Sequence, residues 1–365
     1  MANIQTRLTG LLGSFHTRQC PFVTIEYLIL RIPLGVQTPV LVPAMAFGSG
    51  GKLAAEVSRA GGFGFLGTAF ETPDQLRDQL NIARSILDVS DNSTLPVGVG
   101  YIGWILDESE PNAKELISIA FEYRVKAIWL SHGDNLAKWV EYYRSLVEQT
   151  GHRPLLFVQI FFPEGAQVAV KEWEADVVVA QGVESGGHGA AQGLPLLTLL
   201  PLVLAALGPD APPVVATGGV ATGSQVAALL TLGASGVALG TRFLLSPESL
   251  YSDKERQVIL DAKSSDAVRT MAFDEARGYH NWPKYINGRA IRNKTFDEFE
   301  KREDIASIRQ KYAEATANSD TTRLVVWAGA GVSAMDKVLP AKDIVNELHD
   351  DILSTLNTSR SLVHG

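Results

Sequence analysis

From Val40 to Leu239 the chain repeats one rhythm: a short apolar run, then a longer stretch with apolar residues at helical spacing. The short runs are Val40–Ala44, Phe63–Leu66, Pro96–Tyr101, Ala127–Ser131, Leu155–Ile160, Asp176–Ala180, Val214–Thr217 and Gly236–Leu239. Their length, β-branched content and lack of polar alternation predict strands buried on both faces of a parallel sheet. The helical patterns between them are Gly51–Ala60, Pro73–Leu87, Ala113–Tyr123, Asn135–Gln149, Gly165–Trp173, Leu196–Leu207 and Ser224–Leu232. Thr72–Pro73 is a start signal and Gly233 a stop signal for two of these helices. Strands alternating with helices imply right-handed βαβ crossovers, and eight strands close a (β/α)8 TIM barrel. A doubly wound open sheet is the alternative reading.

Two regions break the rhythm. Residues 14–35 are apolar without a clear period. Within the N-terminal arm (1–35) they either cover the bottom of the barrel or form an insertion between TRLTGLLG and VQTPVLVPAM; the insertion is the reading taken here. The barrel then spans 36–249. Beyond it, 250–365 holds helical patterns at Ser252–Ser264 and Phe296–Ala317, a Trp/Tyr/Arg-rich connector at 278–293, LVVWAGAGVSAMD (324–336) and an amphipathic helix near Ala341–Leu356. A core this small does not stand alone, so a lid or cap over the barrel mouth is expected, with the last helix packed on the barrel.

Composition narrows the function classes. Apolar residues make up 46% and charged residues 20%, a globular balance with a large core. A formal charge of −8 without any lysine–arginine block argues against nucleic acid. The single cysteine, Cys20, excludes an internal disulfide and any multi-cysteine metal site, and suits a reducing compartment. The N-terminus lacks the apolar core of a signal peptide, and the C-terminal VHG is not a peroxisomal address. Leu194–Leu207 carries Pro195 and Pro201 and falls short of the roughly 18–20 residues that span a bilayer. A soluble, cytoplasmic protein without membrane partners is the expectation, with a homodimer left open. Histidines 16, 152, 280, 349 and 364 show no paired spacing, so no metal site is expected.

The chemistry concentrates in DVVVAQGVESGGHGA (176–190), where Gly182, Gly186, Gly187 and Gly189 surround His188 after a buried strand. Glycine at such density is used where backbone closely approaches a ligand, and strand C-termini are where α/β folds place their sites. His188 is therefore the leading catalytic residue, with a structural role as the alternative. VVATGGVATG (214–223) and GVALGTRFLL (236–245) place Gly218, Gly219, Gly240 and Thr241 after the predicted seventh and eighth strands. Loops there commonly bind phosphate through backbone N–H groups; Arg242 is a further charge partner to consider. No GxxxxGK[ST] is present, and the glycines of 48–67 are misspaced for a dinucleotide fingerprint.

PVLVPAM (39–45), AGGFGFLG (60–67), AQGVESGGHGA (180–190), VVATGGVATG (214–223) and ALGTRF (238–243), in that order, resemble the nitronate monooxygenase family, formerly called 2-nitropropane dioxygenases. The resemblance covers about 36–245 and continues more weakly through WAGAGV (327–332) to the last helix. It implies a TIM barrel holding one FMN, oxygen as electron acceptor, and alkyl nitronates or nitroalkanes converted to a carbonyl compound and nitrite. It maps the catalytic histidine onto His188. Flavin contacts map onto Ala44 and Met45, Gln159, Gln181, Gly186 and Gly187; the phosphate maps onto Gly218, Gly219, Gly240 and Thr241, with the backbone of Ala238 and Leu239 nearby. Gly100 stands where bacterial members often carry Asn, which leaves only backbone toward the flavin and suits the fungal-type branch.

An imidazole near pKa 6.5 is poised to take a nitroalkane's α-proton. His132 could touch substrate or be structural, and Glu184 reads as a solvated carboxylate. Tyr101, Trp104, Tyr285 and Trp327 could line a substrate pocket or simply pack. The same scaffold would also suit an NADH:quinone or enoyl-thioester reductase, or a non-catalytic flavin-binding protein. A barrel of the IMP-dehydrogenase type needs a cysteine in an active loop, which Cys20, ahead of the first strand, does not provide. If 14–35 is an insertion, its deletion yields a folded protein that still binds flavin; an insoluble product would refute that reading.

Overall fold

The structure, a computed structural model, describes residues 36–361, so Cys20 and segment 14–35 lie outside the described residues. In chain order the strands are β1 (Val40–Val42), β2 (Phe63–Gly67), β3 (Leu95–Ile102), β4 (Val125–Ser131), β5 (Leu155–Ile160), β6 (Val177–Gln181), β7 (Gly187–Ala190), β8 (Val214–Thr217), β9 (Gly236–Ala238), β10 (Ala267–Thr270) and β11 (Ile286–Ile291). All the predicted strands form the barrel, in the order β1-β2-β3-β4-β5-β6-β8-β9. It closes through parallel pairs Val40↔Val237 and Leu41↔Ala238. The connections hold α1 (Gly51–Arg59), α2 (Pro73–Leu87), α3 (Gly103–Glu108), α4 (Glu110–Glu122), α5 (Leu136–Thr150), α6 (Pro163–Lys171), α7 (Leu196–Leu207) and α8 (Gly223–Thr231). The fold is a (β/α)8 TIM barrel.

The period-2 geometry of a strand sorts its residues between two cores. Leu41, Phe63, Phe65, Trp129, Leu155, Phe157, Val177, Val179 and Val215 cluster inside the cylinder. Their chain neighbours Val40, Val42, Ile128, Leu130, Leu156, Val158, Val178 and Val214 join the larger core under the helices. Phe65 fills the interior with its edges on Trp129 and Phe157, ring centroids 5.1 and 5.0 Å away. The cylinder is thus plugged with aromatic rings, which leaves only its mouth for a ligand.

After β9 comes only the four-residue α9 (Thr241–Leu244). The place of an eighth barrel helix, against α8 and α1, is taken by α14 (Ala341–Ser361). Its buried residues Ala341, Ile344, Val345, Leu348 and Ile352 recur at helical spacing and join the outer core. The intervening chain carries α10 (Asp253–Asp261), α11 (Ala272–Arg277), α12 (Lys294–Glu300) and α13 (Ile305–Asn318). The expected single helix Phe296–Ala317 is therefore two, broken at Arg302, whose φ of 59° is left-handed. The connector 278–293 contains β11, and the glycine loop after β6 contains β7. These two strands pair antiparallel, with β10 on the far side of β11, giving a small sheet in the order β10-β11-β7.

Packing of α1 on β2 depends on Gly64, where a Cβ would lie 2.2 Å from the carbonyl oxygen of Ala54 and 2.4 Å from its Cα. Backbone cannot swing aside as a side chain can. Gly64→Ala should destabilise the protein by about 1–3 kcal/mol, the cost of overpacking, read as a lower urea midpoint. An unchanged midpoint would mean that α1 is free to shift.

Candidate active site

The strand C-termini open into a cavity. Ala44 and Met45 reach it from the end of β1, Gln159 from β5 and Gln181 from β6. Gly186, Gly187 and His188 reach it from the segment that runs into β7. Gly218, Gly219, Ala238, Gly240 and Thr241 line it from the ends of β8 and β9. Two of the residues mapped as flavin or phosphate contacts do not line it. Leu239 turns a buried side chain away and ties its N–H to Leu41 O at 2.9 Å. Gly100 lies behind the wall: its carbonyl accepts both the N–H and the hydroxyl of Thr68, and a Cβ there would lie 2.1 Å from Cβ of Ala44. A larger residue at 100 would thus push Ala44 into the cavity.

The cavity is rich in unspent backbone donors. Among the described residues, the N–H groups of Gly218, Gly219, Gly240 and Thr241 meet no protein acceptor. Gly218 and Gly219 have φ of 125° and 70°, a backbone that L side chains rarely adopt. The Thr217 hydroxyl donates to Ala238 O at 2.9 Å and ties the two turns together. Thr241 Oγ1 accepts the Gly329 N–H at 2.9 Å, so its own proton stays available. Arg242 takes no part. Its guanidinium donates to Lys337 O and faces Glu347 on α14, because the α9 turn sends its side chain outward.

The cavity wall also holds amide side chains. Trp129 Nε1 donates to Gln159 Oε1 at 3.1 Å, which leaves Gln159 Nε2 buried without a partner. Gln181 Oε1 is likewise buried and unpaired. Buried polar atoms are rarely left so, and here one donor and one acceptor wait together in a ligand-sized space.

His188 stands on β7, opposite Gly288 of β11. Its Nε2 lies 3.0 Å from both carboxylate oxygens of the fully buried Asp274 on α11. Trp282 stacks on the imidazole with centroids 3.5 Å apart and planes within 10°, and Trp327 leans on it at 4.8 Å. Burial lowers the His188 pKa from its ordinary value; the Asp274 hydrogen bond and charge oppose that shift. The loop before it is held from beneath by Arg269, which donates to Val183 O and to Ser185 Oγ, each at 3.0 Å. Arg289 also donates to Val183 O. Glu184 is not a solvated carboxylate: both oxygens accept the Leu196 N–H at the start of α7, 3.0 Å away.

The remaining residues divide. Trp327 and His132 line the cavity, whereas Tyr285 and Tyr101 do not. The Tyr101 hydroxyl donates to Leu116 O on the outer side of the barrel. Trp104 packs edge-on against Trp282 at 5.1 Å, behind the imidazole.

The nitronate monooxygenase family profile matches residues 30–99 and 156–351. The chain belongs to the nitronate monooxygenase family. It is similar to a nitronate monooxygenase of Neurospora crassa, 33% identical over 344 residues, covering 86% of this chain and 89% of that one. The nitronate monooxygenase npaC of Metarhizium robertsii is 32% identical, covering 90% and 93%. Both are fungal, and the chain sits in the fungal-type branch. Among solved structures, FabK from Thermotoga maritima superposes with a TM-score of 0.73 at 25% identity, covering 99% of this chain and all of that one. This nitronate monooxygenase family member is accordingly an enzyme of that type, a flavin-dependent oxidoreductase. Among the described residues no helix is long and apolar enough to cross a membrane.

Asp274 and Trp282 were missed from the sequence. Neither belongs to a motif; the aromatic density of 278–293 was the only signal, and it pointed to a region rather than a residue. His132 follows β4 with a left-handed φ of 50°, and its Nε2–H donates to the His188 carbonyl at 3.2 Å. Burial holds its pKa down to about 3, so it is neutral. The unfolded chain takes up this proton near pH 6.5 and the folded one near 3. The stabilisation is complete above 6.5 and is lost as pH falls through that window. Asn tolerates the left-handed backbone and does not titrate. Stability relative to His132→Asn should therefore drop by roughly 1.5–2 kcal/mol between pH 6.5 and 5, measured by urea unfolding; a constant gap would contradict the buried neutral imidazole.

Proposed function

We propose that this protein uses FMN and dioxygen to oxidise alkyl nitronates, and neutral nitroalkanes after removal of their α-proton, to a carbonyl compound and nitrite. The observation that carries this reading is one cavity lined by unspent backbone donors, unpaired glutamine atoms and a mostly buried imidazole. The donors of Gly218, Gly219, Gly240 and Thr241 suit a phosphoryl group, with the backbone of Ala238 and Leu239 beside them. Gln159 Nε2 and Gln181 Oε1 suit the polar edge of a flavin ring, and Ala44, Met45, Gly186 and Gly187 provide the flat flanks it needs. Gly100 contributes by leaving Ala44 its place.

Bound FMN would supply the electron-transfer chemistry that no side chain can. The chain's own part is to orient, exclude water and move a proton. His188, kept neutral by burial, is the base for the α-proton, and the resulting imidazolium rests against Trp282 and Asp274. With a nitronate already formed, the same group orients the anion.

Purified protein should show a flavin absorbance spectrum and release nitrite from ethyl nitronate under air. Turnover of NADH with quinone, without nitrite, would favour a reductase instead. His188→Asn should keep the flavin spectrum and lose oxidation of neutral nitroethane by at least ~100-fold, the scale of general-base catalysis. An unchanged rate would remove His188 from this role. Because burial depresses its pKa, the acid limb of the wild-type nitroethane profile should fall below the ordinary imidazole value of about 6.5.

A further inference from the structure

The contact between Asp274 and His188 asks more of the site than a basic imidazole. Asp274 is wholly buried, and His188 Nε2 is its only side-chain partner among the described residues. A carboxylate only accepts hydrogen bonds, so the nitrogen facing it at 3.0 Å from both oxygens must carry the proton. Nδ1 makes no hydrogen bond to any described residue, and the ring lines the cavity.

We propose that Asp274 is the positioning residue of the proton-transfer step: it keeps the proton on Nε2 and so leaves the lone pair of Nδ1 as the base. This rests on the reading of His188 given above. In the step, the substrate's Cα–H bond breaks and its proton passes to Nδ1. The released electron pair becomes the C=N bond of the nitronate, whose negative charge settles on the nitro oxygens. The imidazolium keeps its Nε2 proton on the hydrogen bond to Asp274.

Three constraints hold the arrangement. Trp282 fixes the plane of the ring from one face, Trp327 leans on it, and the ladder to Gly288 fixes its height. The charged or titratable groups that face the imidazole are Asp274 on α11, which favours the protonated ring, Arg277 on α11 and Arg269 on β10, which disfavour it, and the neutral His132 after β4. Asp274 is therefore the one group that both orients the ring and supports its protonated form.

The double contact makes the test sharp. Since both oxygens are equally near Nε2, Asp274→Asn sets an amide N–H2 as well as an amide oxygen against the ring, so the negative charge is lost and the Nε2–H tautomer is no longer enforced. In flavin-loaded Asp274→Asn, kcat/KM for nitroethane should fall roughly 100-fold or more, against a loss of only a few-fold for ethyl nitronate, which needs no deprotonation. The acid limb of the remaining nitroethane activity should move to lower pH, because the charge that supports the imidazolium is gone. Asp274→Glu should recover part of the nitroethane rate. Equal losses on the two substrates, or no loss on either, would overturn the proposal by making Asp274 merely structural. A second readout needs no variant: nitrogen-15 NMR of histidine-labelled wild-type protein should show His188 in the Nε2–H tautomer at neutral pH, and an Nδ1–H tautomer would overturn the proposal. Wild-type protein that releases no nitrite from ethyl nitronate would instead defeat the functional reading, while the tautomer measurement still judges the pairing.

Discussion

The site depends on a ladder of four residues. Gly187–Ala190 leaves the barrel and pairs antiparallel with Ile286–Ile291, in a register that sets His188 opposite Gly288. Side chains alternate across a strand, so a slip of one residue would turn the imidazole to the other face, away from Asp274 and Trp282. Gly288 matters to this register because a Cβ there would lie 2.4 Å from the Trp327 ring. The absence of a side chain lets tryptophan and imidazole share the space. Arg269 and Arg289 then take up the Val183 carbonyl of the departing loop, and Arg269 its Ser185 carbonyl as well.

This ladder joins two parts of the chain with different physics. The barrel is closed by parallel pairing and filled by Phe65, Trp129 and Phe157, a dry interior with no room for chemistry. All polar function is displaced to the strand ends, where Gln159, Gln181 and Thr217 interrupt the apolar runs. The residues after β9 add what those ends lack: a buried acid, two tryptophans and the cations beneath the loop. They do so as an excursion between β9 and α14, which returns to pack on α8 and α1.

Burial decides the electrostatics. His132 and His188 lie within one patch of low polarity, where a charged ring is disfavoured unless something opposes the loss of water. Among the described residues the His132 ring has only a carbonyl for a hydrogen-bond partner, and it remains neutral. His188 faces a carboxylate and an aromatic face, both of which accommodate a transient positive charge. Two imidazoles, the second accepting through its carbonyl the hydrogen bond of the first, thus have different capacities for a proton.

Local pattern determined the barrel. Strands buried on both faces must be apolar throughout, and turns that approach a ligand must be glycine, so the strands and the motifs around His188, Gly218 and Gly240 were readable one window at a time. Most of the residues named from those motifs line one cavity. What failed were readings that depend on a distant partner. Glu184 reads as a solvated carboxylate when the fold that brings the Leu196 N–H to it is out of view, Arg242 reads as a charge partner to consider when α14 is out of view, and Phe296–Ala317 looks continuous because the break is a backbone angle. Asp274 and Trp282 carry no motif at all. They gain meaning from non-local strand pairing, which brings residues about 90 positions apart in the chain into contact. Only the tertiary structure could decide which carboxylate and which ring that pairing sets against His188.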